Sequence, residues 1–282
     1  KSSYCTSQNG KALMKIAIIA GSGDFPIQIA KENPDAFVLC IDEHSYPIKF
    51  KNNSEIVSLK DPLSWVSVLK KNNITHLVMA GKINRISNKK INANGSTHNL
   101  INKTSSFGDN SALTFVQSFF NENGFEILPV TSMLKDCFFS KGFYKEENLS
   151  AKLKNFVTEN AKFGIELLNA MAEFDVGQSV VVSNRLVYAI EALEGTDNMI
   201  VRASDLYKKI FNVNEFGPVL VKIPKLYQNF NMDLPVIGLT TIKKCKELGF
   251  SSIVLSSTGT LIVDIKLVKT YLNNNEFCIY GI

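Results

Sequence analysis

The sequence predicts an α/β protein of two domains: an N-terminal Rossmann-like domain with a mostly parallel sheet, and a C-terminal mixed α/β domain. Three observations carry that reading. Short apolar runs that read as buried strands alternate with stretches of helical spacing, which puts helices on the faces of a largely parallel sheet. The first such run ends in a glycine turn that opens a helix. The length, 282 residues, is long for one core and comfortable for two.

Residues 1–13, KSSYCTSQNGKAL, are polar and patternless and read as a disordered leader outside the fold. The first domain is drawn over 14–142. IAIIA is a buried strand, GSGDFP the turn and IQIAKEN a short helix. AFVLCI (36–41) is a second strand, PLSWVSVLKKNN a helix, and HLVMAG (76–81) a third strand ending in glycine. Residues 86–108, rich in Asn, Ser and Lys, read as loop with a short helix. SALTFVQSFFNENG (111–124) is a helix stopped by Gly124, and FEILPV a short strand.

The second domain is drawn over 143–282. Ser150 is placed to cap a long amphipathic helix from Ala151 to Glu173. SVVVSN and LVYAIEA read as a hairpin with Asn184 at its turn. PVLVKIP, SIVLSS, LIVDI and FCIYGI read as strands, and TIKKCKELG (241–249) and KLVKTYLNNN as helices.

Composition narrows the function classes. Hydrophobic residues make up 45% and charged residues 20%, which suits a packed globular chain. The net charge of +5 is mild and the Lys and Arg residues are scattered, so no nucleic-acid partner is expected. Five cysteines, an odd number without a C-x-x-C pair, fit neither a disulfide framework nor a zinc site and suit a reducing cytosol. No apolar run reaches the ~18 residues of a membrane span. His44, His76 and His98 lie apart without metal spacing. Neither a serine-hydrolase elbow nor a P-loop is present.

Five constellations can carry chemistry. Gly21-Ser22-Gly23-Asp24 follows a strand, where glycines let backbone amides approach a phosphate; Pro26 stands where a dinucleotide fingerprint needs its third glycine. Ala80-Gly81-Lys82 with Arg85 lies at the carboxyl end of the third strand, where open α/β sheets bind ligands. Asp109, in Gly108-Asp109-Asn110, either caps the following helix or meets a nucleoside. Asp175-Val176-Gly177-Gln178, Glu191 and Glu194-Gly195-Thr196-Asp197 flank one hairpin, as turn and cap chemistry or as carboxylates for a divalent metal. Lys222 ends an apolar strand, where it would reach out to a phosphate; Asp233-Leu234-Pro235 follows, a carboxylate on a proline-stiffened turn.

The runs DVGQSVVVSNRLVYAIEALEGTDNMIVRASDL (175–206), GPVLVKIPK (217–225) and MDLPVIGLTTI (232–242) resemble UDP-2,3-diacylglucosamine pyrophosphatases of the LpxI type, a family of lipid A biosynthesis. GSGDFP, AGKINR and FGDNSAL match in order and spacing, so the resemblance covers about 14–282. It implies a two-domain Mg²⁺-using hydrolase with substrate lodged between the domains. Attack at the β-phosphorus would release UMP and 2,3-diacylglucosamine 1-phosphate (lipid X). Asp233 stands at the position of the family's essential aspartate. Gly23, Asp24, Ala80, Gly81, Lys82, Ile83, Asn84, Asp109, Gln178, Thr196 and Lys222 fall on substrate-contact positions.

Lys222 would offset phosphate charge during catalysis. Glu194 and Asp197 are added to Asp233 as metal ligands from charge and clustering alone. Asp24, and the run Lys82-Ile83-Asn84-Arg85 where an arginine-proline is usual, depart from the family pattern.

Phe138, Phe139, Phe143 and Tyr144 are either a wall for acyl chains or ordinary core. The resemblance implies a cytoplasmic protein, peripheral to the inner membrane, in transient contact with its surface. A homo-oligomer is left open. Two other readings remain: a non-catalytic UDP-sugar-binding module, and a Rossmann-type NAD-dependent oxidoreductase.

Overall fold

The computed structural model describes residues 14–83, 109–174, 176–210, 215–226 and 232–282, without the side chains of 109–112. The chain divides into two compact units: Lys1–Ser106 with Thr114–Met133, and Phe107–Leu113 with Leu134–Ile282. The sequence reading drew its boundary at 142.

In the first unit, β1 (Ile16–Ala20), α1 (Phe25–Glu32), β2 (Phe37–Ile41), β3 (Ser54–Val57), α2 (Pro62–Lys71) and β4 (His76–Ala80) follow one another. The helix α3 (Asp109–Glu122), which joins this unit from Thr114 onward, and β5 (Glu126–Ile127) complete it. The five strands form one parallel sheet in the order β3-β2-β1-β4-β5. The apolar runs become strands because both faces are covered: every residue of β2, and all of β1 after Ile16, is buried.

Helix α2 shows how local signals fix an element. The Asp61 side chain accepts from the Ser64 backbone N–H, Pro62 opens the helix, and Trp65, Val66 and Leu69 form its buried stripe. Trp65 and Phe125 both pack against Phe120 of α3, and the Trp65 indole N–H is satisfied by the Ser58 carbonyl at 2.7 Å. β3 was not read from the sequence. It is a four-residue edge strand with Glu55 inside it, so no apolar run announced it.

The second unit contains β6 (Gly142–Phe143), α4 (Ala151–Ala170), β7 (Ser179–Ser183), β8 (Leu186–Ile190) and α5 (Thr196–Ile210). It continues with β9 (Val219–Lys222), β10 (Val236–Ile237), α6 (Leu239–Glu247), β11 (Ser252–Leu255), β12 (Leu261–Ile262), α7 (Ile265–Asn273) and β13 (Cys278–Gly281). A six-stranded mixed sheet runs β6-β13-β11-β9-β7-β8, and β10 pairs with β12 apart from it. β9, β11 and β13 are parallel, and β7 is antiparallel to both β9 and β8.

Strand alternation sorts the core into two layers. Val180, Val182, Val219, Val221 and Val254 pack under α4 through Val157, Ala161 and Leu168. Val181, Leu220, Ile253 and Ile279 face the other way, against Met199 and Ile200 of α5, Ile242 of α6 and Val268 of α7. Gly164 sets how closely α4 approaches: a Cβ there would lie 2.7 Å from a Val221 methyl.

Ser150 caps α4, its side chain accepting from the Leu153 N–H. That helix ends at Ala170, three residues before the expected Glu173, and Ala172–Phe174 form a separate 3₁₀ turn. Asn184 and Arg185 turn the β7–β8 hairpin with φ of 51° and 62°, the left-handed pair of a type I′ turn. Cys40, Cys137, Cys245 and Cys278 are buried and not joined in disulfides, and burial pushes the Cys278 thiol up to about 12. Among the described residues no helix is long and apolar enough to cross a membrane.

Candidate active site

The topology of the second unit gathers polar groups at one end of the sheet. β8 and β9 end there and β7 begins there, so Glu191, Lys222 and Ser179 meet although they are far apart in sequence. Ser179 and Lys222 are register partners, and the Glu191 N–H donates to the Ser179 carbonyl at 2.9 Å. Thr196, the first residue of α5, closes the group.

Lys222 does not extend outward as the sequence reading expected. Its residue is 4% exposed, and its ammonium donates to Ser179 Oγ at 3.0 Å, Thr196 Oγ1 at 2.9 Å and Glu191 Oε2 at 3.4 Å. Those are all three donors a lysine has. Glu191 in turn accepts from Ser179 Oγ at 2.5 Å through Oε2 and from Thr196 Oγ1 at 2.6 Å through Oε1. Burial pushes the Glu191 carboxyl upward, but the Lys222 charge and the bonds from Ser179, Thr196 and Lys222 outweigh it and hold it below the usual carboxylate range. The cluster is thus a buried ion pair with both partners hydrogen-bonded, the condition under which charge is tolerated inside a protein.

The sequence reading gives Ser179 no role and marks Glu191 only as an acid flanking the hairpin, for turn chemistry or a metal, not as the partner of Lys222. The signal was present: one acid closes the otherwise apolar run LVYAIEA, and Ser179 opens the facing run SVVVS. The backbone also holds the group in place. The Thr260 hydroxyl donates to the Lys222 carbonyl at 2.9 Å, and Gly177 leaves no room beside Glu191, since a Cβ there would lie 2.4 Å from the Glu191 carbonyl oxygen.

Gln178, adjacent to Ser179 in the chain, donates to Asp233 Oδ2 at 2.9 Å. The half-buried Asp233 carboxylate is therefore tied to the residue preceding the lysine's anchor. Glu194 and Asp197 have other partners. Arg202 donates to Glu194 at 2.5 Å and to the Ile190 carbonyl at 3.1 Å, and its hydrogen bond is the main reason the Glu194 carboxyl is lowered. Thr241 donates to Asp197 Oδ1 at 3.0 Å, with Lys244 at 3.4 Å from Oδ2.

Among the described residues no three His, Cys, Asp or Glu side chains form a group that could hold a metal ion. Asp233, Glu194 and Asp197, the expected set, form no such group; Arg202 holds Glu194, and Thr241 and Lys244 hold Asp197. Phe138, Phe139, Phe143 and Tyr144 are all at least partly buried. Phe139 belongs to the core and meets Tyr144 edge-on, and Phe143 stacks on Tyr280 with ring centroids 4.2 Å apart.

In the first unit, Gly23 and Asp24 on one side and Ala80, Gly81, Lys82 and Ile83 on the other lie at the carboxyl ends of β1 and β4. These are the adjacent central strands between which the strand order reverses, the customary ligand position of such sheets. The two loops are zipped together: Ser22 N–H donates to the Lys82 carbonyl at 2.9 Å, Lys82 N–H returns to Ser22 at 3.1 Å, and the Ser22 hydroxyl adds a bond of 2.8 Å. Gly23, Asp24, Gly81, Lys82 and Ile83 are exposed, and the Asp24 side chain does not cap α1. Pro26, at the missing third glycine, is buried at the start of α1 against Gly81. Asn84 lies outside the described residues, as does the side chain of Asp109, which occupies the first position of α3.

Residues 15–137 match the model of the LpxI N-terminal domain, and residues 145–280 match that of the LpxI C-terminal domain. The chain belongs to the LpxI family. The UDP-2,3-diacylglucosamine pyrophosphatase LpxI of Caulobacter vibrioides is 29% identical over 177 residues, 62% of this chain and 61% of that protein. The likeness thus spans less than two thirds of the relative's length. The two LpxI domains coincide with the parallel and mixed sheets described above, and the Lys222–Glu191 cluster with Asp233 lies wholly within the C-terminal one.

Proposed function

We propose that this chain hydrolyses the pyrophosphate bond of UDP-2,3-diacylglucosamine, giving UMP and 2,3-diacylglucosamine 1-phosphate in lipid A biosynthesis. The observation that carries the reading is the pairing of a held carboxylate with a buried lysine: Gln178 orients Asp233, and its neighbour Ser179 anchors Lys222. The family and the printed activity of the Caulobacter relative supply the substrate class.

In this reading Asp233 positions a water and takes its proton. The water oxygen bonds to the β-phosphorus, the bond from that phosphorus to the bridging oxygen breaks, and the bridging oxygen leaves with UMP. Lys222 favours the charge that gathers on the phosphate oxygens. The exposed glycine loops after β1 and β4 offer backbone amides to the nucleotide. Mg²⁺ remains part of the proposal as an ion carried chiefly by the diphosphate itself, with a protein carboxylate or two, which is its usual habit. A lipid substrate further implies a cytoplasmic chain that touches the inner-membrane surface transiently.

The test is UMP release from UDP-2,3-diacylglucosamine with Mg²⁺ and then with chelator, in the parent and in Asp233→Asn. The parent is expected to release UMP and to lose that activity with chelator. The variant should bind substrate with the same Kd and release UMP at least ~10³-fold more slowly. UDP-sugar binding without UMP release in the parent would establish a non-catalytic binding module instead, and tight NAD binding an oxidoreductase.

A further inference from the structure

We propose that Glu191 is a positioning residue that fixes the direction of every hydrogen bond in the Lys222 cluster and so holds the ammonium in its working place. Its kinetic consequence rests on the reading under Proposed function; its structural consequence does not.

An ionised carboxylate only accepts and an ammonium only donates. Thr196 Oγ1 lies 2.6 Å from Glu191 Oε1 and 2.9 Å from Lys222 Nζ, so its single proton goes to the carboxylate and a lone pair faces the ammonium. Ser179 Oγ, 2.5 Å from Glu191 Oε2 and 3.0 Å from Lys222 Nζ, is ordered the same way. Two hydroxyls thus relay in parallel from lysine to glutamate. Reversing either one would turn an O–H against an N–H.

The direct Lys222–Glu191 contact is the longest of the three ammonium bonds, at 3.4 Å. It is the bond that can be given up to a phosphate oxygen while both hydroxyl bonds hold the lysine in place. A glutamine at 191 has one accepting oxygen and one donating NH₂ group, so it can satisfy only one hydroxyl in the present order. The other must accept from that NH₂ and turn its own proton away, in a buried cluster whose remaining neighbour is an ammonium with no acceptor to offer, so the order around Lys222 is lost.

The test uses the full chain. At neutral pH without ligand, the hydrogen-bonded Lys222 ammonium should give a slowly exchanging ¹H–¹⁵N signal, assigned by its absence in Lys222→Arg. In Glu191→Gln that signal should vanish or move, and kcat for UMP release should fall about 10²-fold with KM changed by less than about threefold. Glu191→Asp keeps the charge but is one methylene short of reaching both hydroxyls. It should fold as the parent does and also lose kcat, which covers the case in which the glutamine variant fails to fold. A Lys222 signal unchanged in Glu191→Gln, or parental kcat in Glu191→Asp, overturns the assignment. If the parent itself releases no UMP, the functional reading fails while the ammonium signal still decides the proton order.

Discussion

Ser179 and Lys222 face each other on neighbouring antiparallel strands, and the lysine ammonium donates to the serine hydroxyl at 3.0 Å within a wholly buried pairing. Sheet register alone creates this contact between residues 43 positions apart. The surrounding variants are therefore expected to act through register and packing as much as through charge.

Gly177→Ala is expected to disturb the cluster without replacing any of its polar residues. The new methyl would lie 2.4 Å from the Glu191 carbonyl oxygen and 2.6 Å from its Cβ, so Glu191 must shift. Overpacking of this kind costs about 1–3 kcal/mol. Denaturant unfolding should show that loss, and UMP release should fall with it. A variant as stable and active as the parent would mean that the strand ends yield freely.

Acid should loosen the second unit through Glu191. Its carboxyl is lowered in the folded chain, so it contributes stability above the ordinary carboxyl range, near the reference 4.5, and loses it as pH falls through the lowered folded value. Thermal unfolding from pH 7 downward should therefore show a stability loss at and below about pH 4.5 that is smaller in Glu191→Gln. That variant should also start lower at pH 7, because removing one partner of a buried ion pair costs about 3–5 kcal/mol. Parallel curves for the two proteins would remove Glu191 as the titrating group.

Glu194→Gln separates a helix tether from a metal ligand. Arg202 bonds both Glu194 and the Ile190 carbonyl, at a partly exposed position where an ion pair contributes little. UMP release and its Mg²⁺ titration are expected to move by less than about twofold. A large shift in the Mg²⁺ midpoint would restore Glu194 to the metal.

Much of the fold was legible because its strands are buried on both faces and so read as unbroken apolar runs, IAIIA, SVVVS and VLVK among them. A cap was legible where side-chain chemistry is local, as at Ser150. β3 and β10 were not, being a short edge strand and a two-residue bridge partner. Within the site, Lys222, Gln178, Thr196 and Asp233 were singled out, but the direction of the lysine was misread. A lysine at a strand end reaches solvent unless the sheet places a carboxylate beside it, and only the β7–β8–β9 register brings Glu191 there. Glu194 and Asp197 were grouped because they adjoin in sequence. The fold instead gives each its own cation, Arg202 of α5 for Glu194 and Lys244 of α6 for Asp197.

The glycines of the first unit give the last prediction, because their two constraints separate. Gly124 has φ of +89° with open space around it, so Gly124→Ala meets only the left-handed penalty of about 1–2 kcal/mol. Gly81 has φ of +88°, and a Cβ there would also lie 2.7 Å from the Ser22 carbonyl oxygen and 2.8 Å from the Pro26 ring. Gly21 carries no such φ constraint, yet its Cβ would meet the Lys82 carbonyl oxygen at 2.7 Å. Gly81→Ala should thus be the most destabilising of the three, and Gly21→Ala should part the β1 and β4 loops without φ strain. Once one alanine has parted the loops the second has less to displace, so Gly21→Ala and Gly81→Ala together should cost less than the sum of the two by about 0.5–3 kcal/mol. Gly124→Ala, at a site with nothing near its Cβ, should add independently to either. Additive losses for the first pair would mean that the two loops do not share the contact that shapes this end of the sheet.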